Sequence, residues 1–274
     1  MNEAARPLLT REDANFVRSL ARGLRVIGVL DTPEPLSLSE VARRAGLSRA
    51  AARRFVLTLE QLGYARQLDG RFALTPRVLE LGSAYLASLT LPEIALPRIT
   101  ALVEEVHESA VLSVLDADSI VGVVRVPAGR VITGTIVLGQ RMPAWASAGG
   151  RVLLAGLAGE RLAEQLDRIE LTPLTANTLR TRAALEAELE RVRKQGWALV
   201  DQELELGLRA LAAPVRDGRG TVVAAVGLVM QAAARERAEI EQTLVGPLCA
   251  TCAEIERDIA ASGARLGIGA AFGG

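Results

Sequence analysis

A short stretch near the front of the chain carries polar and cationic side chains at helical spacing. Arg49 and Arg53 stand four positions apart, which places them on one face of a helix, with Ser48 and Arg54 beside them. Guanidinium groups donate hydrogen bonds in a planar fork that matches phosphate oxygens and the major-groove edge of guanine. The pattern therefore predicts contact with duplex DNA. A helix face that is only solvated is the alternative interpretation.

Two short helices joined by a tight turn would position these side chains. Between Leu38 and Leu62, apolar residues recur at helical spacing in two runs separated by Gly46. Gly46 favours the left-handed backbone that ends a helix, and we expect Ser39 to cap the first helix and Ser48 the second. A helix, a glycine-containing turn and a second helix form the helix-turn-helix pattern, in which the second helix enters the major groove.

Charge is divided unevenly along the chain. Residues 15–77 hold eleven arginines and five acidic residues, which is a net charge of +6. The whole chain has 32 basic and 32 acidic residues, so the remainder has a net charge of −6. This division favours a basic nucleic-acid module joined to an acidic domain with a different role.

Further patterns flank the two helices. The preceding segment has one apolar helical face that we expect to pack behind the pair, formed by Phe16, Leu20, Leu24, Ile27 and Leu30. After the pair, Asp69-Gly70 separates two short alternating runs, which is the pattern of a β-hairpin. The hairpin would be the wing of a winged helix-turn-helix, where Arg66 and Arg71 either hold phosphates or only help to cover the core. The predicted DNA-binding residues are therefore Ser48, Arg49, Ala50, Arg53, Arg54, Arg66 and Arg71.

Strand patterns dominate the middle and later parts of the chain. We expect a linking helix over 76–88, a helix over 91–106 and then strands as far as residue 139. Helices follow, then two strands around Asp217-Gly218 and a final helix over 235–262. Strands joined by hairpin-like turns, with helices at both ends, indicate an α+β domain on an antiparallel sheet.

Residues suited to catalysis or metal binding are few. His107 is the single histidine, and Cys249 and Cys252 share a face of a predicted helix, where core positions are the simplest interpretation. A tetrahedral zinc site needs four ligands, so we predict no metal, no cofactor and no enzymatic activity. A thiol redox sensor is kept as an alternative, as is a small-molecule sensor that acts through protein contacts. The chain has no apolar run of membrane-spanning length and no disulfide framework, so we expect it in the cytoplasm and not in a membrane.

Five motifs together resemble a single family. They are SLARGLRVI, LSLSEVARRAGLSRAAARRFVLTLEQLGY, RMPAWASAGGRVLLA, GWALVDQELELGLRALAAPVRD and VVAAVGLV. With them, the chain is similar to the IclR family of transcriptional regulators over nearly its whole length. Its FVRSLARGL and GWALVDQELELGLR segments are similar to the subgroup that regulates protocatechuate, 4-hydroxybenzoate and β-ketoadipate catabolism.

The resemblance implies an α+β fold with an N-terminal winged helix-turn-helix, a linker helix and a C-terminal GAF-like effector domain with an antiparallel sheet. The expected divisions are a flexible arm (1–14), a winged helix-turn-helix domain (15–75), a linker helix (76–90), an effector-binding domain (91–262) and a disordered tail (263–274). Such a protein would bind double-stranded operator DNA as a homodimer or homotetramer. A small aromatic or keto acid would act as its effector, and the regulated operon would be catabolic, with activation and repression both open.

The resemblance also implies an effector pocket lined by the loop after the central strands and by the later sheet. Its residues would be Val131, Gly134, Met142, Ala148, Gly149, Val200, Leu208, Ala210, Gly227 and Val229. To these we add Trp145 as a stacking wall and Ser147 as a cap of the helix that follows. The backbone N–H groups of Ala148 and Gly149 would then hold a carboxylate at that helix N-terminus.

Four of these positions carry polar side chains in some members of the family but are small and apolar here: Val200, Ala210, Gly227 and Val229. Such a lining favours a flat, bulky ligand over a small keto acid. It leaves the anchor for a polar ligand to Arg125, Arg130 or Thr133, if one of them points inward.

Overall fold

The computed structural model describes residues 16–81, 90–128 and 138–262. The chain divides into two compact units, residues 1–84 and 85–274. The predicted arm, the predicted tail, most of the linker helix and most of the expected strand over 131–139 lie outside the described residues.

Among its described residues, the first unit has three α-helices and a small sheet. Its helices are α1 (Arg18–Val29), α2 (Leu38–Ala45) and α3 (Arg49–Gln61). The strands β1 (Leu36–Ser37), β2 (Ala65–Leu68) and β3 (Arg71–Leu74) pair antiparallel in the order β1-β3-β2. The core contains Val41, Val56 and Phe72, one from each of α2, α3 and β3, and all three are buried. This is a helix-turn-helix followed by a hairpin, as the sequence predicts.

Local hydrogen bonds set the ends of α2 and α3. Gly46 adopts φ +65°, and the Ser48 hydroxyl accepts from the amide of Ala51 at 3.2 Å, so both predicted roles are confirmed. The prediction that Ser39 caps α2 is wrong. Ser37 is the cap, because its hydroxyl accepts from the Glu40 amide while the Glu40 carboxylate accepts from the Ser37 amide at 2.9 Å. This reciprocal capping box starts the helix earlier and leaves Ser39 inside it.

The packing of α1 also differs from the expected apolar face. Leu20 and Leu24 are 62% and 57% exposed, whereas Val26 and Leu30 are buried. Every described residue from this segment that joins the core lies at position 26 or later. The helix thus packs through its last turns only, and its earlier apolar side chains extend beyond the neighbouring helices.

The segment after β3 does not begin as an α-helix. Thr75 caps a 3₁₀ turn over Pro76–Leu79, and its hydroxyl accepts from the Arg77 amide at 3.3 Å. Proline fits the first position of such a turn because its missing N–H would have no partner there. Residues 80 and 81 are helical, and the rest of the predicted linker helix up to residue 89 lies outside the described part of the chain.

The described part of the second unit is built on an antiparallel sheet of six strands. Its strands are β4 (Ser109–Asp116), β5 (Ser119–Val126), β6 (Arg141–Pro143), β7 (Ala198–Asp201), β8 (Leu208–Arg216) and β9 (Val222–Gln231). They lie in the order β6-β5-β4-β9-β8-β7. Its helices are α4 (Thr90–Val106), α5 (Ala148–Ala155), α6 (Gly159–Arg168), α7 (Arg182–Gln195), α8 (Arg237–Thr243) and α9 (Val245–Ser262). The predicted α+β class is confirmed.

The single helix predicted over 235–262 is two helices, α8 and α9, separated at Leu244. Pro247 explains the interruption. It has no amide hydrogen to donate to the carbonyl of Thr243, so a continuous helix would lose a bond at this point.

Alternate residues of the strands supply two separate cores. One core lies between the sheet and the helices α4 and α9, and includes Leu112, Leu211 and Leu228. The other lies between the opposite face and the helices α5 to α7, and includes Val200 and Ala212. The sheet is therefore covered on both faces, and the second face is the one that carries the residues expected to bind an effector.

Candidate DNA interface and effector pocket

The helix α3 separates its side chains cleanly between core and solvent. Ala52, Val56 and Leu59 are buried. The five predicted DNA-binding residues of this helix and its cap are all exposed: Ser48, Arg49, Ala50, Arg53 and Arg54. None of these arginines makes an ion pair within the described residues, so their guanidinium groups are available to an external anion.

The two wing arginines have different environments. The hairpin turns at Asp69 and Gly70, which adopt φ +46° and +77°, the conformation of a tight two-residue turn. Arg66 is exposed and has no ion-pair partner in the described part of the chain. Arg71 instead donates to the carbonyl of Pro35 at 3.0 Å and lies 3.5 Å from the Glu40 carboxylate. Arg71 thus ties β3 to the start of α2, which is a role in the fold that the sequence did not suggest.

The carboxylate of Glu40 is held in its charged form. Hydrogen bonds from the side chain and the backbone of Ser37 lower the pKa of Glu40, and the charges of Arg71 and Arg44 lower it further. Arg43 and Arg44, at the end of α2, are exposed as well. They contribute to the net charge of +6 over residues 15–77 but are not among the predicted DNA-binding residues. The exposed cationic surface of this unit therefore includes the end of α2 as well as α3.

Five of the predicted effector-binding residues share one face of the second unit's sheet. Val200 pairs with Ala210, and Ala210 pairs with Val229 across the next strand. Leu208 and Gly227 stand two positions before Ala210 and Val229, so strand alternation places them on the same side. Val200 is buried, whereas the other four are half-buried. The structure thus assembles an apolar, partly open surface from three strands.

The helix α5 begins over the same face. The virtual Cβ of Gly149 would lie 3.5 Å from the Cδ1 of Ile120 and 3.7 Å from the Cβ of Ala225, so the helix approaches the sheet closely here. Ser147 caps the helix as predicted, since its hydroxyl accepts from the amide of Gly150 at 3.3 Å. The amides of Ala148 and Gly149 belong to the first turn, where no intrahelical acceptor exists.

The other predicted pocket residues are distributed differently. Met142 and Trp145 are 9% and 4% exposed and pack in the apolar core with α5, so neither belongs to the partly open surface of the three strands. Arg125, one of the considered anchors, is exposed. Val131 and Gly134, with the other two candidate anchors, lie outside the described residues.

A buried ion pair that sequence reasoning missed supports this region. Arg151 is 2% exposed, and its Nη1 and Nη2 donate to the two carboxylate oxygens of Glu203 at 2.8 and 2.5 Å. Its Nε donates to the carbonyl of Trp145 at 3.0 Å, and the Leu179 amide donates to Glu203 at 3.2 Å. The pair joins α5 to the loop after β7. In the sequence, the indication of this pair is one charged residue, Arg151, within the mostly apolar segment between Arg141 and Glu160.

The residues considered for other chemistry are not arranged for it. Burial raises the pKa of both the Cys249 and the Cys252 thiols, which disfavours the reactive thiolate. His107 is exposed and follows α4 with φ +59°. Within the described ranges, no three His, Cys, Asp or Glu side chains converge to hold a metal. No described helix has the length and apolar character that a membrane span requires.

Comparison with known families decides between the interpretations. Residues 19–69 match the family described as the IclR helix-turn-helix domain, and residues 83–257 match the bacterial transcriptional regulator IclR C-terminal family. The chain belongs to the IclR family. It is therefore a DNA-binding transcriptional regulator and not an enzyme. The predicted family is confirmed.

Individual relatives agree with this assignment. The chain is 38% identical to the Pca regulon regulatory protein of Pseudomonas putida, over 89% of this chain and 84% of that protein. It is 34% identical to the p-hydroxybenzoate hydroxylase transcriptional activator of Acinetobacter baylyi, over 79% and 82% of the two chains. An IclR homologue from Microbacterium hydrocarbonoxydans, solved in complex with 4-hydroxybenzoate, superposes with a TM-score of 0.74 at 26% identity, covering 88% of this chain and 98% of that one. The predicted similarity to regulators of aromatic catabolism is confirmed.

Proposed function

We propose that this IclR-family regulator senses an aromatic carboxylate and controls an operon for aromatic acid catabolism. The observation that carries the proposal is the half-open apolar face formed by Leu208, Ala210, Gly227 and Val229, with the N-terminus of α5 at its border. A flat ring can lie on small apolar side chains, and a carboxylate is favoured at a helix N-terminus by amide donors and the helix dipole.

The relatives support the same class of ligand. One is named for a hydroxybenzoate hydroxylase, and the Microbacterium structure contains 4-hydroxybenzoate. In this chain the ring would lie against the sheet, and the amides of Ala148 and Gly149 would hold the carboxylate. Met142, Trp145, Ser147 and Val200 would support the walls of the pocket, and Val131 and Gly134 would complete its lining.

The DNA side of the function depends on α3. Arg49, Arg53 and Arg54 would contact base edges and phosphates from the major groove, with Ser48 and Ala50 at the start of the helix. Arg66 would hold a backbone phosphate from the wing, and Arg71 would contribute chiefly by fixing the wing to α2. A homodimer or homotetramer, acting on cytoplasmic DNA, would present two such helices to the half-sites of a symmetric operator.

Sensing and DNA binding are linked through differential affinity. An effector that binds one conformation of the second unit more tightly shifts the population toward it, and a coupling of about 1–3 kcal/mol changes operator affinity roughly 5- to 150-fold. By reciprocity, operator DNA changes effector affinity by the same factor.

The test measures both binding events on the full-length protein. Fluorescence anisotropy with DNA from the promoter region adjoining its own gene is expected to show tight binding that weakens steeply with salt, because arginines displace counterions from phosphates. Addition of 4-hydroxybenzoate or protocatechuate is expected to change that affinity by at least fivefold and to raise the melting temperature.

Cyclohexanecarboxylate, which keeps the acid but lacks the flat ring, is the matched control ligand. If neither aromatic acid changes DNA affinity or melting temperature, the effector class is wrong. If binding shows no salt dependence, the assigned DNA interface is wrong as well.

A further inference from the structure

One serine of the second unit's sheet lies close to the start of α5. Ser113 is in β4, and its Cβ would lie 3.9 Å from a Cβ built on Gly149 at the first turn of α5. Ser113 is 4% exposed, yet its hydroxyl makes no hydrogen bond to any described residue. Polar side chains in such protected positions usually have a hydrogen-bond partner, so a partner outside the chain would account for this serine.

The residues beside Ser113 on three other elements are small. In β5 its pairing partner is Gly122, and in β9 it is Ala225, while Gly149 lies above it. These neighbours are two glycines and an alanine, the residues with the smallest side chains.

A β-bulge lies on the strand next to this side chain. The pairing of β4 with β5 shifts register between Leu112 and Ser113, so that Val123 is the extra residue of a β-bulge. Bulges are frequent beside functional sites. Ser109 lies on the same strand and the same face, and its hydroxyl does have a partner. It accepts from the amide of Ala128 at 3.1 Å. Ser109 thus has a structural role, whereas the Ser113 hydroxyl bonds to no described residue.

We propose that Ser113 is a specificity-determining residue of the effector pocket, whose hydroxyl donates a hydrogen bond to the effector carboxylate at the N-terminus of α5. The inference rests on the proposed function, since it assumes a carboxylate effector on this face. It supplies the polar side chain that the apolar lining lacks. Together with the amides of Ala148 and Gly149, the hydroxyl gives the carboxylate a third donor, from the sheet side.

The experiment is isothermal titration calorimetry of the full-length protein with 4-hydroxybenzoate, for the wild type, Ser113→Ala and Ser119→Ala. The control residue Ser119 lies on β5, and its hydroxyl donates to Asp118. Loss of a hydrogen bond to a charged group is expected to raise the Kd of Ser113→Ala about tenfold or more. Ser119→Ala is expected to stay within about threefold of the wild type, the scatter expected where no contact to the ligand is lost.

The melting temperature of the ligand-free proteins separates recognition from folding. We expect Ser113→Ala to melt within about 2 °C of the wild type, because removing an unpaired buried hydroxyl is nearly neutral. An unchanged Kd overturns the role of Ser113 alone, and so does a weaker Kd accompanied by a fall of several degrees in melting temperature. A wild-type protein that binds none of 4-hydroxybenzoate, protocatechuate and β-ketoadipate overturns the proposed effector class and this inference with it.

Discussion

The two units use the same residue, arginine, in opposite ways. In α3, Arg49, Arg53 and Arg54 are exposed and have no carboxylate partner among the described residues. In the second unit, most described arginines are paired with an acidic side chain: Arg98, Arg141, Arg151, Arg182, Arg191, Arg193, Arg209, Arg216, Arg235, Arg237 and Arg257. The difference follows from the supply of acids, since the DNA-binding segment has few and the remainder has an excess.

This contrast separates the arginines that act on the stability of the fold from those that are available to bind an external anion. A paired arginine has already exchanged water for a carboxylate, so its removal acts on stability when the pair is buried and hardly at all when it is exposed. An unpaired exposed arginine contributes little to folding, and its removal acts on the affinity for an external anion. Substitutions in the two units should therefore separate into stability effects and DNA effects.

The largest effect is expected at the buried pair of the second unit. Glu203→Ala leaves the guanidinium of Arg151 buried without its bidentate acceptor, and it also removes the acceptor of the Leu179 amide. Breaking a buried pair on one side typically costs about 3–5 kcal/mol of unfolding free energy. Since Glu188 lies 3.7 Å from Arg151 and retains some compensation, we expect the lower end of that range, measured by urea denaturation.

The control for this substitution is Glu186→Ala. Glu186 pairs with Arg182 on the exposed side of α7, with both side chains nearly half exposed. Its loss is expected to change the unfolding free energy by about 0.5 kcal/mol or less. Equal effects of the two substitutions would show that burial does not distinguish the pairs as argued.

The next largest effect is expected on DNA affinity. Arg53→Ala and Arg49→Ala should each weaken operator binding by about 1–3 kcal/mol, with the unfolding free energy unchanged, because neither side chain has a partner in the folded unit. If the contact is to a phosphate, the slope of affinity against salt should also fall by about one unit. Anisotropy titrations at two salt concentrations measure both quantities.

Arg182→Ala is the matched control, because its side chain is 47% exposed but lies in the second unit against Asp167 and Glu186. It should leave operator affinity unchanged. Full affinity in both α3 variants would place the recognition surface elsewhere on the molecule.

Patterns among neighbouring residues predicted most of the first unit. The proposed pocket depends instead on contacts between residues that are distant in sequence. The cap at Ser48, the left-handed Gly46 and the Asp69-Gly70 turn depend on a few neighbouring residues, and all three are present in the structure. The cap at Ser37 was missed because two serines alternate at the helix start, and only the Glu40 carboxylate selects between them.

The supports of the pocket could not be read from local pattern. Arg151 and Glu203 are 52 positions apart, and no periodicity relates them. Ser113 stands in a strand that reads as plainly apolar, and its space is created by small residues from three other elements. Sequence thus indicated which strands would form the proposed pocket, while tertiary packing decides the neighbours of Ser113 and Arg151.

A smaller effect should distinguish the two N-caps of the DNA-binding unit. Ser37→Ala and Ser48→Ala each remove a side-chain acceptor from a helix start, which costs about 1 kcal/mol of stability. Ser48 is exposed at the proposed interface, so its loss should also weaken operator binding, whereas that of Ser37 should not. Thermal unfolding and anisotropy on the same samples test this. Equal DNA affinity in the two variants would remove Ser48 from the interface and leave it a purely structural cap.

The smallest effect concerns a partly buried pair of the second unit and its dependence on pH. The hydrogen bond from Arg209, at 2.7 Å, lowers the pKa of Asp201, and Gln202 lowers it further. A carboxyl group whose folded pKa is depressed contributes stability above its unfolded pKa of about 4, and that contribution is lost as pH falls through the folded value. Asp201→Asn keeps an acceptor for Arg209 but removes the charge.

The variant should therefore be less stable than the wild type by about 1 kcal/mol or less at neutral pH, and the difference should shrink below pH 4. Urea denaturation from pH 3 to pH 7 measures this difference. A difference that is constant over the whole range would mean that the charge of Asp201 contributes nothing to its pairing. Arg209 would then be held by the carbonyls of Ala232 and Arg235 alone, and the rule that paired arginines of this unit stabilise the fold through charge would fail at this site.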